Sequence, residues 1–533
     1  MNERRVSASL CLAGSIALGA LLFAIAPATS AQTPQKTLRI VPQADIKILD
    51  PTFTTAYISR NFGYMVYDTL FALDAKDQPQ PQMVDTWKVS PDNKLWTFTL
   101  RPGLRFSDGS AVTSVDAVAS MRRWMSRDSI GRQIASAGGQ WTAVDARTFT
   151  LTLQQPLGIV LDGLARASAY PTFVLPERLA TLPTTSPLPE VLGSGPYMFK
   201  RDEWVPGNKV VFVKNPYYVA RSEPPSGLAG SKAPHVDRVE WLYLPDANSS
   251  VAALKSGEVD YIEQVAPDYI APLRADTSIK VGASGSSQGW LVMNELQPPF
   301  NNPLAREAVM MAVDQARFTT AMGYPADLRL NYCPSFFMCG TANETAAGSA
   351  PFAKPDLAKA KQLLAQAGYQ GEKVVVLVPS DMADLNAAAL VAVQTLTSIG
   401  MNVDAQTMDW SSIAARRTKR TAADAGGWSV YVTMAGMFDV SSPVTNGYLS
   451  AACDSSLPGW PCDKQLDDIR NQWIHATDPA QRKRLLDAFQ TRAYAASPYA
   501  NYGQFSAAYA VRRSVTGTDK LWGGIPMAWV LNK

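Results

Sequence analysis

The chain has 533 residues, 49 basic against 46 acidic side chains, and only two histidines. A formal charge of +3 supplies no field for nucleic-acid phosphates, and two histidines leave little material for a histidine-rich metal site. Hydrophobic residues at 47% with charged residues at 18% suit several packed cores and exclude a disordered chain.

The first predicted segment is an export signal. Arg4 and Arg5 form a positive start, residues 10–26 are apolar and small, and Ala28, Ser30 and Ala31 offer a cleavage site, expected after Ala31. The apolar run is short for a membrane span and is followed by Pro27 and a polar tail, so the reading is a removed signal and not an anchor. Cys11 leaves with it.

Further along, residues 95–100 (LWTFTL) and 148–153 (TFTLTL) alternate as half-buried strands do, and Thr113 caps a helix running through Val115, Val118, Met121 and Trp124. Breaks at 184–189 and 223–234 read as surface loops. Between them Gly193-Ser194-Gly195-Pro196-Tyr197 reads as a tight turn into a strand, because it lacks the Lys-Ser/Thr of a phosphate loop. Residues 209–214 (KVVFVK) and 374–378 (VVVLV) predict more deeply buried strands. Helical spacing spans 304–322, a second helix runs from Asp356 to Ala367 where Gly368 stops it, and Asp478-Pro479 starts a third. Arg482, Lys483 and Arg484 read as the solvated face of that last helix. Strands and helices intermix without repeats, giving an α/β or mixed α+β protein of several lobes.

Four cysteines remain after export: Cys333, Cys339, Cys453 and Cys462. Three pairings are possible. Two short local bridges are expected, each tying a loop and contributing up to about 3 kcal/mol in the chain-entropy model. A zinc site built from all four thiolates fits less well, since neither pair has the tight spacing of such sites.

Gly285-Ser286-Ser287-Gln288-Gly289 matches the G-x-S-x-G nucleophile pattern, which requires strand, sharp turn and helix. Here the strand-like Trp290-Leu291-Val292-Met293-Asn294 follows instead. His235 and His475 both read as surface residues, so a secreted serine hydrolase is disfavoured and no catalytic residue is assigned.

The remaining motifs fall in one order. They are Gln82-Met83-Val84-Asp85-Thr86-Trp87 with Trp96-Thr97-Phe98-Thr99-Leu100-Arg101, the GLRFSDG run at 103–109 with Ala111 to Val118, Gly193 to Tyr197, Asn215-Pro216-Tyr217-Tyr218, and Pro299-Phe300 with Leu304 to Val309. In that order they resemble the large solute-binding proteins of bacterial ABC importers, in the peptide/nickel (family 5) group. The resemblance implies a large class II periplasmic-binding fold, with two lobes, a hinge and an extra domain. On that guide lobe I takes 32–66, 193–282 and 499–533, the extra domain 67–192, and lobe II 283–498. It further implies a periplasmic monomer without cofactor, catching a peptide or other small-molecule ligand for an inner-membrane permease and its ATPases.

The resemblance also supplies an expected site. Asp439-Val440-Ser441-Ser442-Pro443 has the spacing of the aspartate that pairs with a peptide's α-amino group, and Trp410 matches a tryptophan lining the dipeptide pocket. An ammonium leaving water needs such a carboxylate. Thr55, Tyr57, Ser380, Asp381, Gly436 and Phe438 complete the expected ligand-binding set. One departure stands out: the segment after 374–378 is Pro379-Ser380-Asp381-Met382-Ala383-Asp384, without the arginine that holds a dipeptide's carboxylate. Longer peptides held by their backbone, or a cationic non-peptide solute meeting Asp439 and Asp381, remain open; nickel import is weaker, given the placement of the histidines.

Overall fold

The alternating TFTL-type segments form strands because every second residue finds an apolar partner. In a computed structural model that describes residues 35–533, Leu95–Leu100 pairs antiparallel with Val84–Val89 and Thr148–Thr152, and Gln140–Ala143 pairs with the last of these. The inward Phe98 stacks on Phe149 with ring centroids 5.3 Å apart and lies beside Trp141 at 6.0 Å. Burying each such side chain stabilises the sheet by roughly 1.5–3 kcal/mol. Helix Ser114–Arg127 covers this sheet and starts with a capping box, in which the Asp116 carboxylate accepts from the backbone N–H and the hydroxyl of Thr113 at 2.8 Å each. The export signal expected at 1–31, with Cys11, lies outside the described residues.

A ten-stranded mixed sheet organises the rest, in the spatial order Asn402–Met408, Lys373–Pro379, Val430–Gly436, Ile279–Met293, Tyr499–Arg512, Tyr261–Val265, Thr37–Val41, Arg238–Leu242, Lys209–Lys214, Tyr197–Phe199. Its centre is a pair of long antiparallel strands, Ile279–Met293 and Tyr499–Arg512. These change neighbours along their length. Residues 287–293 pair with Val430–Gly436 on one side, whereas 508–511 pair with Tyr261–Val265 on the other. The two lobes of the fold are therefore joined through two continuous strands, and the register slips between Ala283 and Ser286 where they cross. The expected division at 282/283 falls inside the first of these strands. The Gly285–Gly289 run lies in the same strand, with the Ser286 and Ser506 hydroxyls 3.0 Å apart, so it does not form a nucleophile elbow.

Local signals place most helices. Asp356 accepts from the Lys359 N–H at 2.8 Å to start Leu357–Gln366, and Asp478 accepts from the Gln481 N–H at 2.7 Å to start Pro479–Ala496. The Gly193 turn packs against the end of helix Tyr57–Val66 so closely that a Cβ on Gly193 would lie 1.9 Å from the Val66 carbonyl oxygen. Both expected bridges, Cys333–Cys339 and Cys453–Cys462, are formed.

Three expectations need correction. The helical run at 304–322 is two helices, Pro303–Ala312 and Gln315–Ala321, because Val313 is extended and Asp314 caps the second through the Arg317 N–H at 3.2 Å. Segment 223–234 is no simple surface loop. Leu228 and Ala229 are buried, and the fully buried Lys232 ammonium lies 2.8 Å from Asp68, whose carboxylate also accepts from the Tyr218 hydroxyl at 3.1 Å. Arg482 does not belong to a solvated face. It lies over the Trp473 ring at 4.0 Å and reaches Asp162 at 2.7 Å, tying its helix to the segment around Gly158.

Candidate functional site

Strand Lys373–Pro379 runs parallel to both Asn402–Met408 and Val430–Gly436, so all three present their carboxyl ends at one edge. Loops at such an edge are where open α/β sheets take ligands. They carry Ser380 and Asp381, then Trp410, then Gly436, Phe438 and Asp439. Helix Tyr57–Val66, from the other part of the chain, brings Tyr57 and Arg60 to the same place.

Asp439 is the meeting point. One carboxylate oxygen accepts the Tyr57 hydroxyl and the other accepts the Ser168 hydroxyl, from residues 382 and 271 positions away. The carboxylate thus bonds two distant segments, not a neighbouring turn. Burial, and then the charge of Asp439, push the Tyr57 phenol well above its ordinary range, so it remains a donor. The Gly436 N–H donates to the same phenol oxygen at 3.3 Å.

Arg60 lies beside this junction. Its guanidinium is 4.5 Å from the centre of the Tyr57 ring and 5.9 Å from that of Phe438, and it donates to Asn61 Oδ1 at 2.9 and 3.1 Å. Among the described residues it makes no ion pair. Behind it the buried Glu263 accepts from Gln43 N at 2.9 Å and Asn61 Nδ2 at 2.7 Å; burial pushes its carboxyl up to about 7. Phe438 packs on Trp522 at 5.1 Å, and on Gly523, where φ is +69° and a Cβ would sit 2.3 Å from the Phe438 ring.

Tyr57, Arg60, Gly436, Phe438 and Asp439 line a cavity of about 60 Å³ against the irregular stretch 284–287 of the long strand. A wider cavity of about 330 Å³ adjoins it, sharing Gln43, Gln264 and Ala507. Its other walls include Tyr243 and Tyr269 from the chain before the long strand Ile279–Met293 and Tyr324 and Asp384 from the chain after it.

Four of the expected ligand residues stand apart from both cavities. Thr55 and Ser380 are exposed. Asp381 is exposed too, and accepts from the Trp410 backbone N–H at 2.8 Å. Trp410 is half-buried under the Arg417 guanidinium, 5.6 Å from its ring. Arg60, Ser168 and Asp384 were missed. Arg60 had a readable signal, as a charge inside the otherwise largely apolar YISRNFGYMV helix. Ser168 carries no local mark, and Asp384 reads as an ordinary first-turn helix residue. Both histidines are exposed. Among the described residues no group of three or more His, Cys, Asp or Glu is placed to hold a metal ion, and no helix is long and apolar enough to cross a membrane.

The model of the bacterial extracellular solute-binding proteins, family 5, matches residues 78–456. A probable peptide ABC transporter periplasmic-binding protein of Sinorhizobium fredii, y4tO, is 36% identical over 514 residues, covering 95% of each chain. Among solved structures, AgaA of A. tumefaciens R10 in complex with agropinic acid superposes with a TM-score of 0.75 at 24% identity, over 93% of this chain and 97% of that one. DppA of Helicobacter pylori, in complex with the peptide STSA, gives 0.70 at 21% identity, over 93% and 98%.

Proposed function

We propose a function for this chain from the fact that it belongs to the bacterial extracellular solute-binding proteins of family 5: it is the substrate-binding component of an ABC transporter, and its ligand is a peptide or peptide-like molecule. It acts outside the cytoplasmic membrane, in the periplasm, after removal of residues 1–31, and hands its ligand as a monomer to a membrane permease driven by ATPases. The y4tO relative, named for peptide transport and matched over nearly its full length, supports the peptide assignment.

The observation that carries the mechanism is the Asp439 junction. One carboxylate is reached from helix Tyr57–Val66, from the segment around Ser168 and from the loop after Val430–Gly436. We assign lobe I to 32–66, 193–282 and 499–533, lobe II to 283–498 and the extra domain to 67–192, with bending at 283–287 and its partner stretch near Ala507. When the lobes separate, Asp439 leaves Tyr57 and is free to receive an ammonium. On closure the ligand's charge is held where water is scarce, and the carboxylate then counts for much more than it does in solvent. Arg60, from the opposite lobe, offers a short ligand's carboxylate the partner that the 379–384 segment lacks. Thr55, Ser380, Asp381 and Trp410 form the outer rim that a longer ligand reaches.

Ligand that contacts both lobes favours the closed form by its differential affinity. Two measurements test the reading: mass spectrometry of ligand co-purified with native protein, and solution scattering with and without that ligand. A peptide and a smaller radius of gyration are expected. A non-peptide solute in the cleft would overturn the peptide assignment, and an unchanged scattering profile under saturating ligand would overturn lobe closure.

A further inference from the structure

The wider cavity has a charge pattern that the Asp439 junction does not use. Of the residues that line it, Asp384 alone is charged. This carboxylate is half-buried and accepts from the next residue's N–H, Leu385, at 2.8 Å. Among the described residues it forms no ion pair. Three tyrosines, Tyr243, Tyr269 and Tyr324, face the same space, with the side-chain amides of Gln43 and Gln264. A desolvated carboxylate without a cation is costly, and its burial pushes the Asp384 carboxyl upward. Aromatic faces around a carboxylate suit an ammonium or guanidinium on an aliphatic stem, because the rings take the stem and attract the charge. The cavity is several times larger than the one at Asp439, adjoins it, and draws walls from both lobes, so a group held there would also favour closure.

We infer that the cavity lined by Tyr243, Tyr269, Tyr324 and Asp384 is a subsite for a cationic side chain of the ligand, lysine- or arginine-like, separate from the amine site at Asp439. The inference rests on the peptide reading for the identity of the ligand, but not for the chemistry of the subsite. The test measures calorimetric affinity of the mature chain and of Asp384→Asn for three probes. Two are tetrapeptide sets identical except for one lysine or one norleucine at each position, and the third is 1,5-diaminopentane. Asparagine can keep the bond to the Leu385 N–H, and a thermal melt shows that the variant is folded.

The wild-type chain is expected to prefer at least one lysine peptide over its norleucine partner by about tenfold or more, and Asp384→Asn to abolish that preference by weakening the lysine peptide. Equal affinity for lysine and norleucine peptides at every position overturns the subsite and leaves the peptide reading standing. If no peptide binds but the diamine binds and Asp384→Asn loses it, the peptide reading falls and the subsite stands. Failure of all three probes, or a lysine preference that survives Asp384→Asn, overturns the subsite.

Discussion

Replacing Asp439 by asparagine gives the sharpest test of the proposed amine site. The side chain keeps its size, and one oxygen remains to accept from Tyr57 or Ser168, while the other hydroxyl can turn to accept from the new amide. The two present contacts join segments far apart in the chain, so their weakening loosens closure more than it unfolds either lobe. Binding is affected differently. An ammonium buried between Tyr57, Phe438 and the stretch 284–287 would lose its only carboxylate in that cavity and would lie beside the Arg60 guanidinium. Stranding a buried charge in this way costs about 2–5 kcal/mol, or roughly 30- to 4000-fold in Kd at about 1.4 kcal/mol per decade. Calorimetric titration of wild type and Asp439→Asn with a peptide and its N-acetylated form, alongside thermal melts, provides the assay. The free peptide should lose affinity by that factor, the acetylated peptide should be nearly indifferent to the change, and the melting temperatures should stay close. Wild-type affinity of the variant for the free peptide would refute the amine site. Equal losses for both peptides would show that Asp439 serves closure alone.

Glu263 makes stability depend on pH. Its folded carboxyl is raised to about 7, so between the unfolded value near 4.3 and about 7 the folded state binds the extra proton; the contribution of Glu263 to stability is greatest below that window and declines as pH rises through it. The decline amounts to up to about 4 kcal/mol, and the difference in melting temperature between pH 5 and pH 7.5 should shrink in Glu263→Gln; an identical difference in both proteins would contradict it. The bridges Cys333–Cys339 and Cys453–Cys462 take up all four cysteines of the described residues. A thiol reagent added to unfolded, unreduced protein should therefore find none after signal removal and one if Cys11 is retained; two or more would contradict the pairing.

Features set by near neighbours were readable from the sequence. The Thr113 and Asp116 capping pair, the Asp356 and Asp478 caps, the period-two strands and the two short bridges each need residues within a few positions of one another, so spacing alone specifies them. Asp439 was legible only because its motif resembles a family pattern; neither composition nor periodicity marks it. The partners of that carboxylate were decided by the tertiary structure, since Tyr57 and Ser168 lie 382 and 271 residues away and converge only because two long strands carry the chain between lobes. The same holds for buried charge. Lys232 in a loop-like sequence, Arg482 on a charged helix and Asp384 in an ordinary first turn look alike in one dimension, as polar residues that water would solvate. Their burial is settled by which distant segment packs over them: Asp68 pairs with the first, Trp473 and Asp162 take the second, and Tyr243, Tyr269 and Tyr324 line the same cavity as the third. Desolvation depends on everything that surrounds a group in space, and a linear pattern records only its neighbours along the chain.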